Sequence, residues 1–291
     1  MSKTIRMYLA VKRSHVCQGR WQFAAVPAGS VLILLVAASS LFATTLVVKL
    51  DNGRILLAAD TRQERLNPGS VAVVHLPGDD ERCKIRSLGG IGFAVTGLVE
   101  YQGRGASETL PDWNANADAV DAFGKAGDNI REVAADWAKR SAAHFNSLYQ
   151  INSGWLKQLA DTNPQNLLQV AFFTGWDKDA PLFLIEIISF DPSSTPVIHV
   201  NEQSRIVGDA PFSTNAITQE LIDSKTDRAQ HVADTWDTIA EGISTQDLGW
   251  RHVEFYINQT APFDPDVSTG VDVLAIPARK PTFWLKRSAC P

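Results

Sequence analysis

Thr44, Asp60 and Lys84 are the residues of this chain whose types and spacing suit covalent chemistry. A threonine hydroxyl is a weak nucleophile until a base takes its proton, and the α-amine of a chain that begins at that threonine is such a base. The amine has a reference pKa of about 7.7–8.0, so roughly a tenth to a fifth of it is unprotonated at pH 7. A cut between Ala43 and Thr44 therefore puts nucleophile and base on one residue. Asp60 ends an apolar run, where an ionised carboxylate is costly unless paired. Lys84, which opens Lys84-Ile85-Arg86-Ser87-Leu88 ahead of Gly89-Gly90, is the cation on offer. A lysine beside the threonine oxygen favours its alkoxide, and Asp60 keeps that lysine charged. Cys83 faces away from whatever Lys84 faces if both lie in a strand, so it receives no catalytic role. Singly, each residue has a plain reading: Thr44 in a strand, Asp60 as a strand-end cap, Lys84 in solvent. The chemistry rests on their combination.

Positioning falls to a hairpin. Segments 44–50 and 54–61 read as strands joined across Asn52-Gly53, the strongest short hairpin signal because both central residues of a type I′ turn need positive φ. With that turn Asp51 faces Arg54, Thr45 faces Asp60 and Thr44 faces Thr61, so the carboxylate returns beside the start of the first strand. Further strands are expected at 91–96, 168–174, 182–189, 196–200 and 271–276. Runs such as Ile55-Leu56-Leu57-Ala58-Ala59 are apolar on consecutive residues, the mark of strands covered on both faces. Val120, Phe123, Ile130, Ala134, Trp137, Phe145 and Leu148 form the stripe of a long helix that Gly124 and Gly127 are placed to interrupt. A second helical zone spans about 214–243, with Ile217, Leu221, Val232, Trp236 and Ile239. Alternating groups of strands and helices suggest sheets packed face to face with helices outside.

Residues 1–43 hold five bases, no acid, and an uncharged stretch of 20 residues from Ala24 to Ala43, a secretory signal pattern. The alternative is an uncleaved membrane anchor over 24–43, since roughly 20 apolar residues span a bilayer. The expected organisation is a leader at 1–43 and one domain at 44–291, secreted or periplasmic once the leader is cut. Setting the leader aside deepens the excess of acids over bases to ten. An acidic body without a basic stripe argues against nucleic acid as a partner. Cys83 and Cys290 remain in the body, and one disulfide or two separate thiols are both open on the sequence. No zinc-ligand spacing, phosphate loop or Gly-x-Ser-x-Gly elbow occurs, so neither a metal nor an organic cofactor is expected.

Several motifs together resemble the β subunits of the 20S proteasome and the HslV-type peptidases, members of the N-terminal nucleophile hydrolases. They are Thr44-Thr45-Leu46-Val47-Val48, Asp51-Asn52-Gly53, Ala58-Ala59-Asp60-Thr61-Arg62, Lys84-Ile85, Ala94-Val95-Thr96-Gly97, Phe173-Thr174-Gly175-Trp176-Asp177 and Ser268-Thr269-Gly270-Val271-Asp272-Val273. The resemblance implies an α+β fold, a four-layer αββα sandwich. It makes Thr44 the nucleophile, Asp60 and Lys84 its charge partners, and the Gly97 N–H an oxyanion-hole donor. Arg62, Asp266 and Ser268 are supporting residues by the same token. Asp209, in Gly208-Asp209-Ala210, stands where a Gly-Ser-Gly is usual, and Asp264 and Asp266 replace a single Asp three residues before the Ser. Ala43 stands where proteasome precursors present Gly, which favours signal peptidase over self-cleavage.

The expected activity is that of an exported threonine-nucleophile amide hydrolase, most simply a peptidase acting on a peptide or other amide. A small-amide acylase is the variant within the enzyme class. A non-catalytic relative used for assembly or binding is the alternative outside it. Assembly into a homo-oligomer follows from the resemblance alone.

Overall fold

The computed structural model describes residues 45–62, 65–66, 73–74, 82–101, 112–162 and 165–291. The leader and Thr44 lie outside the described residues. Strands β1 (Leu46–Asp51) and β2 (Arg54–Asp60) form the expected hairpin, with φ of 49° at Asn52 and 74° at Gly53. Their register runs unbroken from Asp51 opposite Arg54 to Leu46 opposite Ala59. Beyond the ladder, the Asp60 N–H donates to the Thr45 carbonyl at 3.3 Å, so Thr45 does face Asp60.

The chain continues through β3 (Arg65–Leu66), β4 (Val73–Val74), β5 (Ile85–Leu88), β6 (Ile91–Gly97), β7 (Glu100–Tyr101) and β8 (Trp113–Asn114) into helices α1 (Ala115–Ala126) and α2 (Ile130–Asp161). Then come β9 (Leu167–Asp177), β10 (Ala180–Phe190), β11 (Ile198–Ile206) and β12 (Phe212–Ser213). Helices α3 (Ala216–Asp223), α4 (Asp227–Ala240) and α5 (Leu248–Thr260) precede β13 (Val271–Pro277) and β14 (Phe283–Lys286). Two five-stranded antiparallel sheets result, ordered β12-β1-β2-β13-β14 and β11-β10-β9-β6-β5. The fold is therefore α+β with antiparallel sheets.

Burial on both strand faces explains the consecutive apolar runs. Leu46, Val48, Ile55 and Leu57 of the first sheet share one buried cluster with Ala94, Phe172, Phe183 and Ile185 of the second. The sheets approach closely at Gly92, where a Cβ would lie 2.8 Å from Leu57 and 2.9 Å from Ile276. On the other face of the second sheet, Phe93, Phe173 and Leu184 pack with Val133, Trp137 and Phe145 of α2. On the other face of the first, Val47, Ala58 and Val273 pack with Val253 and Ile257 of α5. Each fully buried side chain of this size stabilises by roughly 1.5–3 kcal/mol.

The first helical zone is interrupted at Gly127 as expected: at φ 61° it ends α1, while Gly124 stays inside that helix and the Asn114 and Asn129 side chains cap the starts of α1 and α2. Other features depart from the sequence reading. Val120 is exposed, and α1 is buried instead through Ala115, Ala119 and Ala122, small residues that seat a helix closely. Ile239 is likewise exposed. Helix α5 has no counterpart in the reading. It packs Val253 and Ile257 on the sheet but Phe255 and Tyr256 on α4. Burial on two sides erases the polar stripe that marks an amphipathic helix. No helix among the described residues is long and apolar enough to cross a membrane.

Glu186 of β10 is an exception in this apolar setting, 2% exposed and directly across the ladder from Glu202. Burial first, and the Glu202 charge second, push its carboxyl up from the ordinary 4.5 to about 7. Between those values the native state holds a proton that the unfolded chain has lost. The group's contribution is therefore intact below the unfolded pKa and disappears as pH rises through about 7, a loss of roughly 3 kcal/mol. Glu186→Gln should melt like the parent in the acid range and above it at about pH 8, as read by calorimetry across pH. Parallel melting curves at both pH values would remove Glu186 from the pH dependence.

Candidate active site

Asp60 sits at the last residue of β2, where the hairpin brings the chain back to Thr45, and β13 lies on its other side with Val271 as its ladder partner. Its carboxylate is wholly buried and gathers four donors. Oδ1 accepts from the Thr45 N–H at 3.0 Å and from Lys84 Nζ at 2.8 Å. Oδ2 accepts from the Arg62 N–H at 3.1 Å and the Ser268 N–H at 3.4 Å. Burial pushes the carboxyl up from its ordinary value, and Lys84 with the backbone N–H groups pulls it back. Because all four partners donate, the ionised form is the one that this cage accommodates; a protonated oxygen would meet another hydrogen.

Lys84 reaches Asp60 from the opposite sheet, since it precedes β5 and its side chain is 7% exposed. The Arg82 N–H donates to the Thr61 carbonyl at 2.9 Å, which holds the incoming segment against the end of β2. The ion pair thus bridges the two sheets at one end of the molecule.

Ser268 belongs to the same cluster. Its Oγ lies 3.0 Å from Thr61 Oγ1 and 3.1 Å from the Thr61 nitrogen, and its own N–H is one of the Asp60 donors. Gly270 closes the arrangement, with the Thr61 N–H donating to its carbonyl at 3.0 Å. Any Cβ at Gly270 would stand 2.3 Å from Thr61 Oγ1, so this approach demands glycine. Arg62 contributes its backbone to Asp60 and directs its guanidinium to the Pro265 carbonyl. A cleft of about 610 Å³ opens here, lined among others by Thr61, Arg62, Ser268, Thr269 and Ser288. That is within the size range of small-ligand sites.

The other expected residues lie further out. Gly97 ends β6 at φ 89°, three residues past Ala94, the ladder partner of Ile85; it is at the Lys84 end of the second sheet. Asp266 donates its N–H to Asp264 Oδ1 in the turn ahead of Ser268. Asp209 adjoins Gly208, whose carbonyl accepts the Leu50 N–H at 2.7 Å. Leu50 is five residues up β1 from Thr45, roughly 16 Å by strand rise, so Asp209 stands at the hairpin end, away from Asp60.

Ser213 and Thr214 occupy the place beside the start of β1, and the sequence reading missed them. Thr214 Oγ1 accepts the Leu46 N–H at 3.0 Å, and Ser213 Oγ donates to the Leu46 carbonyl at 2.8 Å. The available signal was Ser213-Thr214-Asn215 ahead of a helix: Asn215 caps α3 through the Ile217 and Thr218 N–H groups. Thr45 itself is 0% exposed, and its Oγ1 has no hydrogen-bond partner among the described residues.

Cys83 and Cys290 form a disulfide across 207 residues, settling the pairing that the sequence left open. Closing so long a loop contributes on the order of 2–5 kcal/mol. Asp272 Oδ1 accepts the Ser288, Ala289 and Cys290 N–H groups beside it. Cys83, Cys290 and Asp272 lie close enough to hold a metal ion by distance, but sulfurs bonded to each other are not thiolate ligands.

Compared with known proteins, the chain matches no family model and no curated sequence.

Proposed function

We propose that the chain is an exported threonine-nucleophile amide hydrolase of the N-terminal nucleophile class, with the four-layer αββα sandwich of proteasome β subunits and peptides or related amides as substrates. The observation that carries the reading is the Asp60 cage. The amide joining Thr44 to Thr45 is itself one of the four donors on Asp60, and Lys84 is another. That hydrogen bond ties the backbone at Thr45, next in sequence to the proposed nucleophile, to the carboxylate. Two sheets with helices on their outer faces agree with the class. The disulfide agrees with an oxidising compartment and hence with removal of a leader.

In this mechanism Thr44 Oγ attacks the amide carbonyl while the freed α-amine takes the hydroxyl proton and later gives it to the leaving amine. Lys84 stabilises the developing alkoxide, and Asp60 keeps the lysine charged and aimed. A backbone N–H at Gly97 supports the oxyanion; such donors contribute about 2.7–4 kcal/mol in comparable sites. Water then hydrolyses the ester.

Mass-spectrometric sequencing of the natively exported protein tests the reading at its weakest joint. The mature terminus should be Thr44 with a free amine. A terminus that still carries Ala43 leaves no base on the threonine and ends the proposal.

A further inference from the structure

We propose that the Cys83–Cys290 disulfide is a redox-operated clamp that holds Lys84 on Asp60, closed when oxidised and released by a dithiol reductant. The inference rests on the site described above and adds a means of controlling it.

Lys84 stands between the bridged cysteine and the edge strand of the second sheet. It follows Cys83 directly, and β5 begins only at Ile85. On its amino side stand the Arg82 to Thr61 hydrogen bond and the bridge from Cys83 to Cys290. The bridge in turn is fixed through Cys290, whose N–H is bound by Asp272 of β13, the strand that pairs with β2 and so with Asp60. A covalent path therefore runs from the strand beside Asp60 to the residue next to Lys84. Opening the bridge removes that covalent path.

The surroundings also favour a bridge that opens. Cys83 is half-buried while Cys290 is buried, so Cys83 is the more exposed half of the bridge. Asp272 Oδ2 is buried without a hydrogen-bond partner among the described residues, and its carboxylate lies within 4.8 Å of both sulfurs. A disulfide has no hydrogen to offer that oxygen, whereas a thiol does. Reduction thus supplies thiol donors near an acceptor that the oxidised form leaves idle.

The exchange balances with a dithiol. One reductant thiolate attacks Cys83 Sγ, the S–S bond breaks, and Cys290 leaves as a thiolate and takes a proton. The second reductant thiolate then attacks the mixed disulfide, releasing Cys83, which takes the other proton. Two electrons have passed, and the reductant ends as its own disulfide.

The test uses the mature protein, oxidised or treated with dithiothreitol, with thiol alkylation to confirm each state. The first readout is amine acetylation mapped by mass spectrometry. Oxidised protein should protect Lys84, and reduction should raise its labelling about tenfold or more, while exposed Lys225 labels equally in both states. The second is amide hydrolysis, which should fall about tenfold or more on reduction and return on reoxidation, because small misplacements of a reacting group are expensive. Cys290→Ser should copy the reduced state without reductant, and Cys83→Ser serves if that variant does not fold. Equal Lys84 protection in both states overturns the clamp. So does a bridge that opens only when the whole chain unfolds, or amide hydrolysis that is present and equal in both states. If Lys84 labelling responds but neither state hydrolyses amides, the clamp stands and the hydrolase reading falls.

Discussion

Thr44→Ala should abolish amide hydrolysis, by about 10⁴-fold or more, as removal of a sole nucleophile does in comparable acyl-transfer enzymes. It should also abolish labelling by an epoxyketone or β-lactone probe. The adjacent threonine gives the contrast. Thr45 is fully buried, its N–H is engaged by Asp60, and its hydroxyl has no partner among the described residues. Thr45→Val keeps the shape, loses no hydrogen bond and keeps that N–H, so activity should stay within about twofold and stability should hold or rise. The pair separates a nucleophile from a general need for threonine at the start of β1. Probe labelling that survives Thr44→Ala, or vanishes with Thr45→Val in a folded protein, would reverse the assignment.

Lys84→Ala should be costly twice over. It removes the side-chain cation on Asp60, leaving a wholly buried carboxylate with three backbone donors among the described residues. Breaking a buried pair in this way costs about 3–5 kcal/mol, equivalent to roughly 10 °C of melting temperature at this chain size. Turnover should drop by about 10²–10³-fold, comparable with losing one electrostatic donor at a developing oxyanion. Asp60→Asn/Lys84→Ala separates the two effects. With both charges gone much of the stability should return, because no unpaired charge stays buried, while activity should not. Melting and kinetics on the three proteins measure the difference. A fully active Lys84→Ala would take the lysine out of the chemistry, and a double variant as active as the parent would take out both.

Much of the site was legible because local rules fixed it. Asn52-Gly53 set the hairpin turn, the turn set the register, and the register delivered Asp60 to Thr45 without reference to the rest of the molecule. Strand positions were similarly legible, because runs such as Ile55 to Ala59 read as doubly covered strands whatever covers them. Helix α5 was not, since contacts on two sides hide its period. Asp209 illustrates a different limit. Proximity in sequence to the middle strands says nothing about where along β1 the chain passes, and the segment meets Leu50 through Gly208 but Leu46 through Ser213 and Thr214.

The sequence by itself determined a nucleophile candidate behind a basic and then apolar stretch, a carboxylate two strands later and the turn that joins them, since each depends on neighbours within a few residues. Only the tertiary structure decided that Lys84 crosses from one sheet to Asp60 of the other, that Ser268 arrives from more than two hundred residues away, and that Cys83 is tied to Cys290. Those contacts follow from how two sheets stack and where strands β2 and β13 lie side by side. Chain closure over such distances is dictated by packing of the whole core, which no local pattern of residues encodes.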